Sequence, residues 1–301
     1  MINNIKRTEL QRIGIFLLIA YAGAILTALT IYLTGGLAQS PYTFILLPTA
    51  YMWSPALANI FTRLLTAENW KNIWIKPQFK QGWKFWLTAW FLPGILIMLG
   101  SALYFLVYPA SFDPGMSTLR QGFALAGQEP PMPMAALAAI QIAAGMLIAP
   151  LINSLFTFGE EFGWRAYLLQ KLLPLGYRKA LIVLGIIWGT WHWPIIALGY
   201  NYGLNYPGAP WPGMLLFVWV CFCFGTVLSW LTLKSGSVWP AVIGHAAING
   251  MASVAVLFLS GSPNTLLGPT VQGVIGVAGF AVVALILFIK PGSLPEINPE
   301  I

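Results

Sequence analysis

Eight apolar stretches, each near the length that a helix needs to cross a lipid bilayer, occupy most of this sequence. A spanning helix takes about 20 largely apolar residues, and its backbone polar groups must be satisfied within the segment. The stretches cover approximately residues 13–34, 41–65, 85–108, 134–158, 180–199, 211–233, 237–259 and 267–289. We therefore predict an all-α fold, a polytopic transmembrane helical bundle of about eight spans.

The composition supports this fold class. Of the 301 residues, 58% are hydrophobic and only 8% are charged, and the mean hydropathy is +0.76. Soluble domains carry roughly 25% charged residues, so this chain has too few charges to cover a surface that faces water. No long polar linker divides the sequence, and we predict a single membrane domain over residues 1–301.

The basic residues indicate how the chain lies in the membrane. All of the 15 Lys and Arg residues except Arg120 fall in segments on one side of the predicted spans, and these segments include both ends of the chain. Short segments rich in Lys and Arg stay in the cytoplasm, so both termini are predicted to be cytoplasmic. The net charge of +7 then reflects topology and contact with anionic lipid headgroups, and we expect no nucleic-acid partner.

Two adjacent acids, Glu160 and Glu161, follow directly after the fourth stretch. Ionisable residues at such positions are functional candidates, because they are costly to place in lipid. Arg165 follows Glu161 by four residues, the spacing for an ion pair on one helical face, and this pairing leaves Glu160 facing elsewhere and free to act as a base. The alternative is that these residues form only a charged helix end at the cytoplasmic surface.

Both histidines of the chain lie inside apolar stretches, His192 in the fifth and His245 in the seventh. Asn249 follows His245 by four residues and shares its helical face. A purely structural role is the alternative for all three: His192 then only packs in its helix, and His245 and Asn249 only form hydrogen bonds between helices. Together with Glu160, however, these side chains can meet in the cytoplasmic half of the membrane and supply a base, a proton shuttle and oxyanion donors. No serine or cysteine nucleophile lies at a comparable position, so direct attack by water is the simplest mechanism.

Three motifs within residues 159–250 resemble those of the CPBP family of intramembrane proteases. This family includes the type II CAAX prenyl endopeptidases and bacterial relatives linked to bacteriocin maturation or immunity. The motifs are Glu160-Glu161-x-x-x-Arg165, Trp188-x-x-x-His192 and His245-x-x-x-Asn249. Trp188 departs from the family pattern, in which phenylalanine is common at this position. The motifs place the predicted catalytic core at about residues 134–259.

The resemblance implies an intramembrane endopeptidase that hydrolyses a peptide bond of a CAAX-type or related membrane peptide near the cytoplasmic face. It also implies a role for each of six residues: Glu160 with His192 activates water, His245 and Asn249 stabilise the tetrahedral oxyanion, and Glu161 and Arg165 support the site. The expected partners are membrane lipid and a membrane-associated peptide or protein substrate. The expected location is the cell membrane of a prokaryote.

We expect no cofactor and no bound metal. The family has been called a family of metalloproteases, so a metalloendopeptidase that holds zinc between the two histidines and Glu160 is the alternative. The sequence has no His-Glu-x-x-His motif, and this donor set makes at best an atypical zinc site.

Two other functions remain open at this point. A non-proteolytic membrane scaffold or bacteriocin-immunity protein of the same family has no need of an intact base. A transporter or channel that relays protons through Glu160 and the histidines needs polar groups across the whole bilayer, whereas the outer halves of the spans carry almost none.

Overall fold

The computed structural model describes residues 5–290 and residue 292. Over these residues the chain folds into helices and turns, and one isolated antiparallel bridge joins Phe112 to Leu259. The main helices are α1 (Arg7–Leu33), α2 (Thr43–Leu65, with a π-helical turn at Leu47–Tyr51), α3 (Phe79–Val107), α4 (Met134–Leu147), α5 (Ala149–Gly163), α6 (Tyr177–Trp191), α7 (Trp211–Ser235), α8 (Trp239–Met251) and α9 (Ala278–Ile289). The predicted all-α fold class is confirmed.

Shorter helical pieces connect the main helices. Four are α-helical: Gly36–Gln39, Ser117–Leu125, Leu169–Leu172 and Trp193–Ile196. A second π-helical turn covers Trp164–Leu168, and 3-10 turns cover Pro109–Ser111, Leu173–Leu175 and Val254–Phe258.

Among the described residues, six segments are long and apolar enough to cross a membrane: α1, α2, α3, α6 with its continuation to Ile196, α7, and α8 with its continuation to Phe258. A seventh forms if α4 and α5 count as one span, although they meet at a bend of 47°. Pro150 lies just after the break, and a proline at a helix start removes a backbone donor and favours such a bend. The chain is thus an integral membrane protein, while the count of eight spans is not confirmed.

The predicted eighth span, residues 267–289, is helical only from Ala278. The 12 residues of α9 are fewer than the about 20 that a spanning helix needs. The preceding segment forms close backbone contacts instead: a Cβ on Gly276 would lie 1.9 Å from the Thr270 carbonyl oxygen, and one on Gly100 of α3 would lie 2.0 Å from the Gly276 carbonyl oxygen. Apolar composition alone does not distinguish such a packed segment from a helix.

The helices that carry the motifs lie in the interior of the bundle. About two-thirds of the span residues of α7 and α8 are buried (67% for each), against 28% for α1. The helix α8 packs against α5 and α3, and α6 packs along α7. The first and third motifs, on α5 and α8, therefore face each other, and the second motif joins them from α6.

Candidate active site

The first motif lies at the end of α5, where this helix is pressed against α2. A Cβ on Gly159 would lie 2.6 Å from the Met52 carbonyl oxygen, and one on Gly163 would lie 2.6 Å from the Pro55 carbonyl oxygen. Small residues four positions apart allow membrane helices to approach this closely. The two adjacent glutamates lie between these glycines, so the helix contact fixes the backbone from which both carboxylates project.

A π-helical turn, Trp164–Leu168, follows α5 and contains Arg165. Such turns are rare and occur frequently at functional sites. The carbonyl of Phe162, just before the turn, accepts a hydrogen bond of 2.9 Å from the side-chain amide of Asn59, which is fully buried on α2. The α2 helix therefore supports the turn both through close packing and through a buried hydrogen bond.

Glu161 binds two cationic or potentially cationic partners through a single oxygen. Arg165 Nη1 and His245 Nδ1 lie 2.9 Å and 2.8 Å from Glu161 Oε1. Glu161 and Arg165 are fully buried, and His245 is 6% exposed. The ion pair that the spacing predicts is present, and the further contact to His245 joins the first motif to the third.

Glu160 faces α6 instead. The indole Nε1 of Trp188 donates a hydrogen bond of 2.8 Å to Glu160 Oε2. The backbone carbonyl of the same tryptophan accepts a hydrogen bond of 2.8 Å from His192 Nδ1. Among the described residues, Glu160 and His192 are thus joined through Trp188 and share no direct hydrogen bond.

The hydrogen bonds define the tautomer of each imidazole. A backbone carbonyl and an ionised carboxylate accept hydrogen bonds and do not donate them, so Nδ1 carries the proton in both His192 and His245. In a neutral ring, Nε2 is then an acceptor, and it donates only when the ring is protonated. Both histidines can therefore take up a proton at Nε2, and His245 donates from that atom only as an imidazolium opposite Glu161.

Two of the six predicted site residues are less buried than the other four. Asn249 is exposed, and His192 is half-buried. The bend between α4 and α5 covers the neighbouring position of α8, since a Cβ on Gly250 would lie 2.6 Å from Ala149 Cβ. Asn249 lies about 100° around the helix from Gly250 and stays uncovered. Of the six predicted site residues, Asn249 is thus the exposed one.

The donor groups around the two histidines bear on the zinc alternative. In the part of the chain that the structure describes, no group of three or more His, Cys, Asp and Glu side chains is placed to hold a metal ion. Nδ1 of both histidines and one oxygen of each adjacent glutamate take part in hydrogen bonds within the protein. A histidine that binds a metal through Nε2 also has its Nδ1 hydrogen-bonded in this way, so the expectation of a site without metal stays a prediction.

Some residues that shape the site were not predicted from the sequence. Gly159 and Gly163 carry the small-x-x-x-small pattern, and Asn59 is a polar residue inside an apolar stretch, so both signals were available. The sequence identifies Trp188 only as an aromatic residue four positions before His192, and nothing in it indicates that the indole N–H reaches Glu160.

A buried cluster of acids and imidazoles, built where three helices of a membrane bundle meet, defines a class of polytopic membrane proteins with an intramembrane polar site. Residues 133–251 match the family model "Type II CAAX prenyl endopeptidase Rce1-like". Over 93 residues the chain is 33% identical to CAAX prenyl protease 2 of Methanococcus maripaludis. The aligned segment covers 30% of this chain and 34% of that protein. The chain thus spans about a third of the length of the curated relative that it matches. Residues 133–251 of the chain are therefore similar to the Rce1-like type II CAAX prenyl endopeptidases.

Proposed function

We propose that this protein is an intramembrane endopeptidase that hydrolyses a peptide bond by direct attack of water. The observation that carries the proposal is the juxtaposition of the motifs: Glu161 bonds His245, and Glu160 is linked through Trp188 to His192. Placing these groups inside a membrane bundle is costly, and their combination supplies what peptide hydrolysis requires. The match to the Rce1-like family supports the same activity.

In this proposal Glu160 and His192 activate the water. Oε2 of Glu160 is engaged by Trp188, so Oε1 is the oxygen that accepts a proton from the attacking water. Nε2 of His192 is an acceptor in the neutral ring and can receive this proton in turn. When the C–N bond of the tetrahedral intermediate breaks, the protonated Glu160 or His192 returns the proton to the leaving amine.

His245 and Asn249 stabilise the oxyanion of the tetrahedral intermediate. They share one face of α8, and Asn249 offers an exposed amide donor at the edge of the bundle. His245 donates from Nε2 as an imidazolium, whose charge is compensated by Glu161. Arg165 holds Glu161 from the other side, so the two supporting residues act through His245.

The substrate in this proposal is a CAAX-type or related peptide that is itself held at the membrane, and the bond cleaved lies near the cytoplasmic face. The arrangement of basic loops supports this side of the membrane. The protein then resides in the cell membrane of a prokaryote, with lipid as its second partner.

The test uses the full-length protein in liposomes, a farnesylated peptide with a CAAX sequence, and the same peptide without the prenyl group. Cleavage of at least one peptide is expected, and Glu160→Ala should lower its rate about 10²- to 10⁴-fold, the contribution of general acid–base catalysis. Glu129→Ala, which removes an exposed acid outside the described helices, serves as the control and should retain activity. Full activity in Glu160→Ala would rule out the mechanism.

A further inference from the structure

Trp188 begins the second motif and contacts residues of the first and third motifs as well as His192 of its own. Its indole N–H bonds Glu160 and its backbone carbonyl bonds His192, both at 2.8 Å. The guanidinium carbon of Arg165 lies 4.2 Å from the centroid of a Trp188 ring, and the His245 ring meets the indole edge-on at 5.4 Å. One side chain and its own backbone thus connect the two groups proposed to activate water.

The position of Trp188 is fixed by the packing of α6 on α7. A Cβ on Gly185 would lie 2.8 Å from Phe222 Cα, and one on Gly189 would lie 2.5 Å from Val218 Cα. Trp188 is only 2% exposed. Because the helix is held tightly and the side chain is buried, the indole N–H is a donor of fixed position and direction.

The indole N–H distinguishes tryptophan from phenylalanine at this position. A phenylalanine ring keeps a face for Arg165 and an edge contact for His245, but it has no N–H. Indole Nε1 is a donor only, and hydrogen bonds to carboxylates are about twice as strong as neutral ones. Tryptophan at position 188 can therefore donate the hydrogen bond to Glu160, and phenylalanine cannot.

We propose that Trp188 is a positioning residue, which sets the distance between the Glu160 carboxylate and the His192 ring by bonding both. The inference rests on the function proposed above, since it assigns these two groups to the activation of water. Trp188 touches neither water nor peptide in this scheme, so its loss should lower kcat and leave KM unchanged.

The first experiment measures kcat and KM for Trp188→Phe and for a matched control. Trp90 of α3 donates its indole N–H to the Met146 carbonyl at 3.0 Å, so Trp90→Phe removes a similar hydrogen bond from a group that is not a carboxylate. We expect Trp188→Phe to lower kcat about 10- to 100-fold, as the loss of a hydrogen bond to a charged group, with KM within about twofold. Trp90→Phe should retain kcat. Equal losses of kcat in the two variants would overturn the positioning role.

Replacement of Trp188 by 3-benzothienylalanine covers the case in which Trp188→Phe does not fold. This residue keeps the bicyclic shape and substitutes sulfur for the N–H, so the same fall in kcat is expected. Unchanged kcat in a folded protein with this replacement would refute the inference.

A measurement without substrate separates this inference from the proposed function. The ultraviolet resonance Raman band that reports indole N–H hydrogen bonding should shift between the wild type and Glu160→Ala, and should not shift between Trp188→Phe and Trp188→Phe/Glu160→Ala. An inactive wild type that shows the shift refutes the proposed peptidase activity alone. An active wild type that lacks the shift refutes the role of Trp188.

Discussion

Two clusters of charged side chains in this protein use similar groups in different surroundings. The interior cluster comprises Glu160, Glu161, Arg165, His192 and His245, where α5, α6 and α8 meet. The helix-end cluster comprises Glu9, Arg12, Arg63, Glu68 and Lys171, where the ends of α1, α2 and the helix after α5 meet. The difference between the clusters lies in how their acids are compensated.

In the helix-end cluster both acids bind more than one cation. Glu68 lies 3.4 Å from Arg12 Nε and 3.5 Å from Arg63 Nη1, and it also pairs with Lys171. Glu9 pairs with Arg12 and Lys171. This network joins three helices through compensated charges, and its side chains are 3–24% exposed.

In the interior cluster the two acids differ in whether they pair with a cation. Glu161 is bonded to Arg165 and His245, whereas Glu160, within the described chain, forms no salt bridge and is held by an indole. We therefore expect the acids with paired cations to stabilise the fold, and we propose that Glu160, the acid without a paired cation, is the one available for proton transfer. Four substitutions test this difference, and their expected effects decrease from Glu161→Gln to Asp113→Asn.

Glu161→Gln should have the largest effect on stability. It leaves the fully buried Arg165 without its carboxylate partner, and breaking a buried pair in this way costs about 3–5 kcal/mol. Unfolding of the purified protein in mild detergent by denaturant measures the loss. A free energy of unfolding equal to that of the wild type would show that the buried pair does not stabilise the fold.

Gly163→Ala should have an intermediate effect. The new Cβ would lie 2.6 Å from the carbonyl carbon and oxygen of Pro55, so α5 and α2 must separate, at a cost of about 1–3 kcal/mol. Peptide cleavage should fall as well, because the shift moves both glutamates. The matched variant is Gly225→Ala, whose Cβ would make ordinary contacts of 3.4 Å to Arg165 Nη2 and 3.7 Å to Trp188. Equal stability of the two variants would argue against the importance of the α5–α2 contact.

Glu68→Gln should lower stability by about 1–2 kcal/mol, because partly exposed ion pairs in a network contribute modestly. The rate of peptide cleavage, measured below the unfolding temperature, should stay within about twofold of the wild type. A large loss of activity with little loss of stability would mean that the helix-end cluster also takes part in the chemistry, and would remove the contrast between the clusters.

Asp113→Asn should have the smallest effect, confined to the loop between α3 and α4. The carboxylate accepts hydrogen bonds from Ser117 and from the Gly115 amide (2.8 Å). These bonds, foremost the one from the Ser117 hydroxyl, lower the pKa of Asp113 below its ordinary value of 3.8. Because the pKa is lowered in the folded state, the ionised Asp113 stabilises the loop at pH values above its ordinary pKa. This stabilisation is lost as the pH falls through the lowered pKa of the folded state. Hydrogen exchange at neutral pH should therefore speed up in Ser117–Leu125 alone, and a change in the motif-bearing helices would contradict this local role.

The fold was predictable from the sequence as far as hydropathy determines it. Long apolar stretches identified the main spanning helices, because each satisfies its own backbone hydrogen bonds in lipid. The segment before α9 was not predictable, since its close backbone contacts depend on glycines that pack against each other and against α3. The cytoplasmic placement of both termini remains a prediction.

The site was predictable only where it depends on local spacing. The ion pair between Glu161 and Arg165 follows from a four-residue separation on a helix. The bond from Glu161 to His245 joins residues 84 positions apart, and it depends on how α5 packs on α8. The exposure of Asn249 depends on which face of α8 the neighbouring helices cover, and the sequence pattern does not indicate this. The catalytic roles of these residues remain predictions.

The most direct test of the account compares Glu160→Gln with Glu161→Gln, since the two acids are adjacent but differently compensated. Peptide cleavage and the free energy of unfolding are measured for both variants. The account predicts that Glu160→Gln lowers cleavage about 10²- to 10⁴-fold and leaves the free energy of unfolding close to that of the wild type, whereas Glu161→Gln destabilises the protein. Wild-type cleavage by Glu160→Gln, or a loss of stability in Glu160→Gln as large as that in Glu161→Gln, would contradict it.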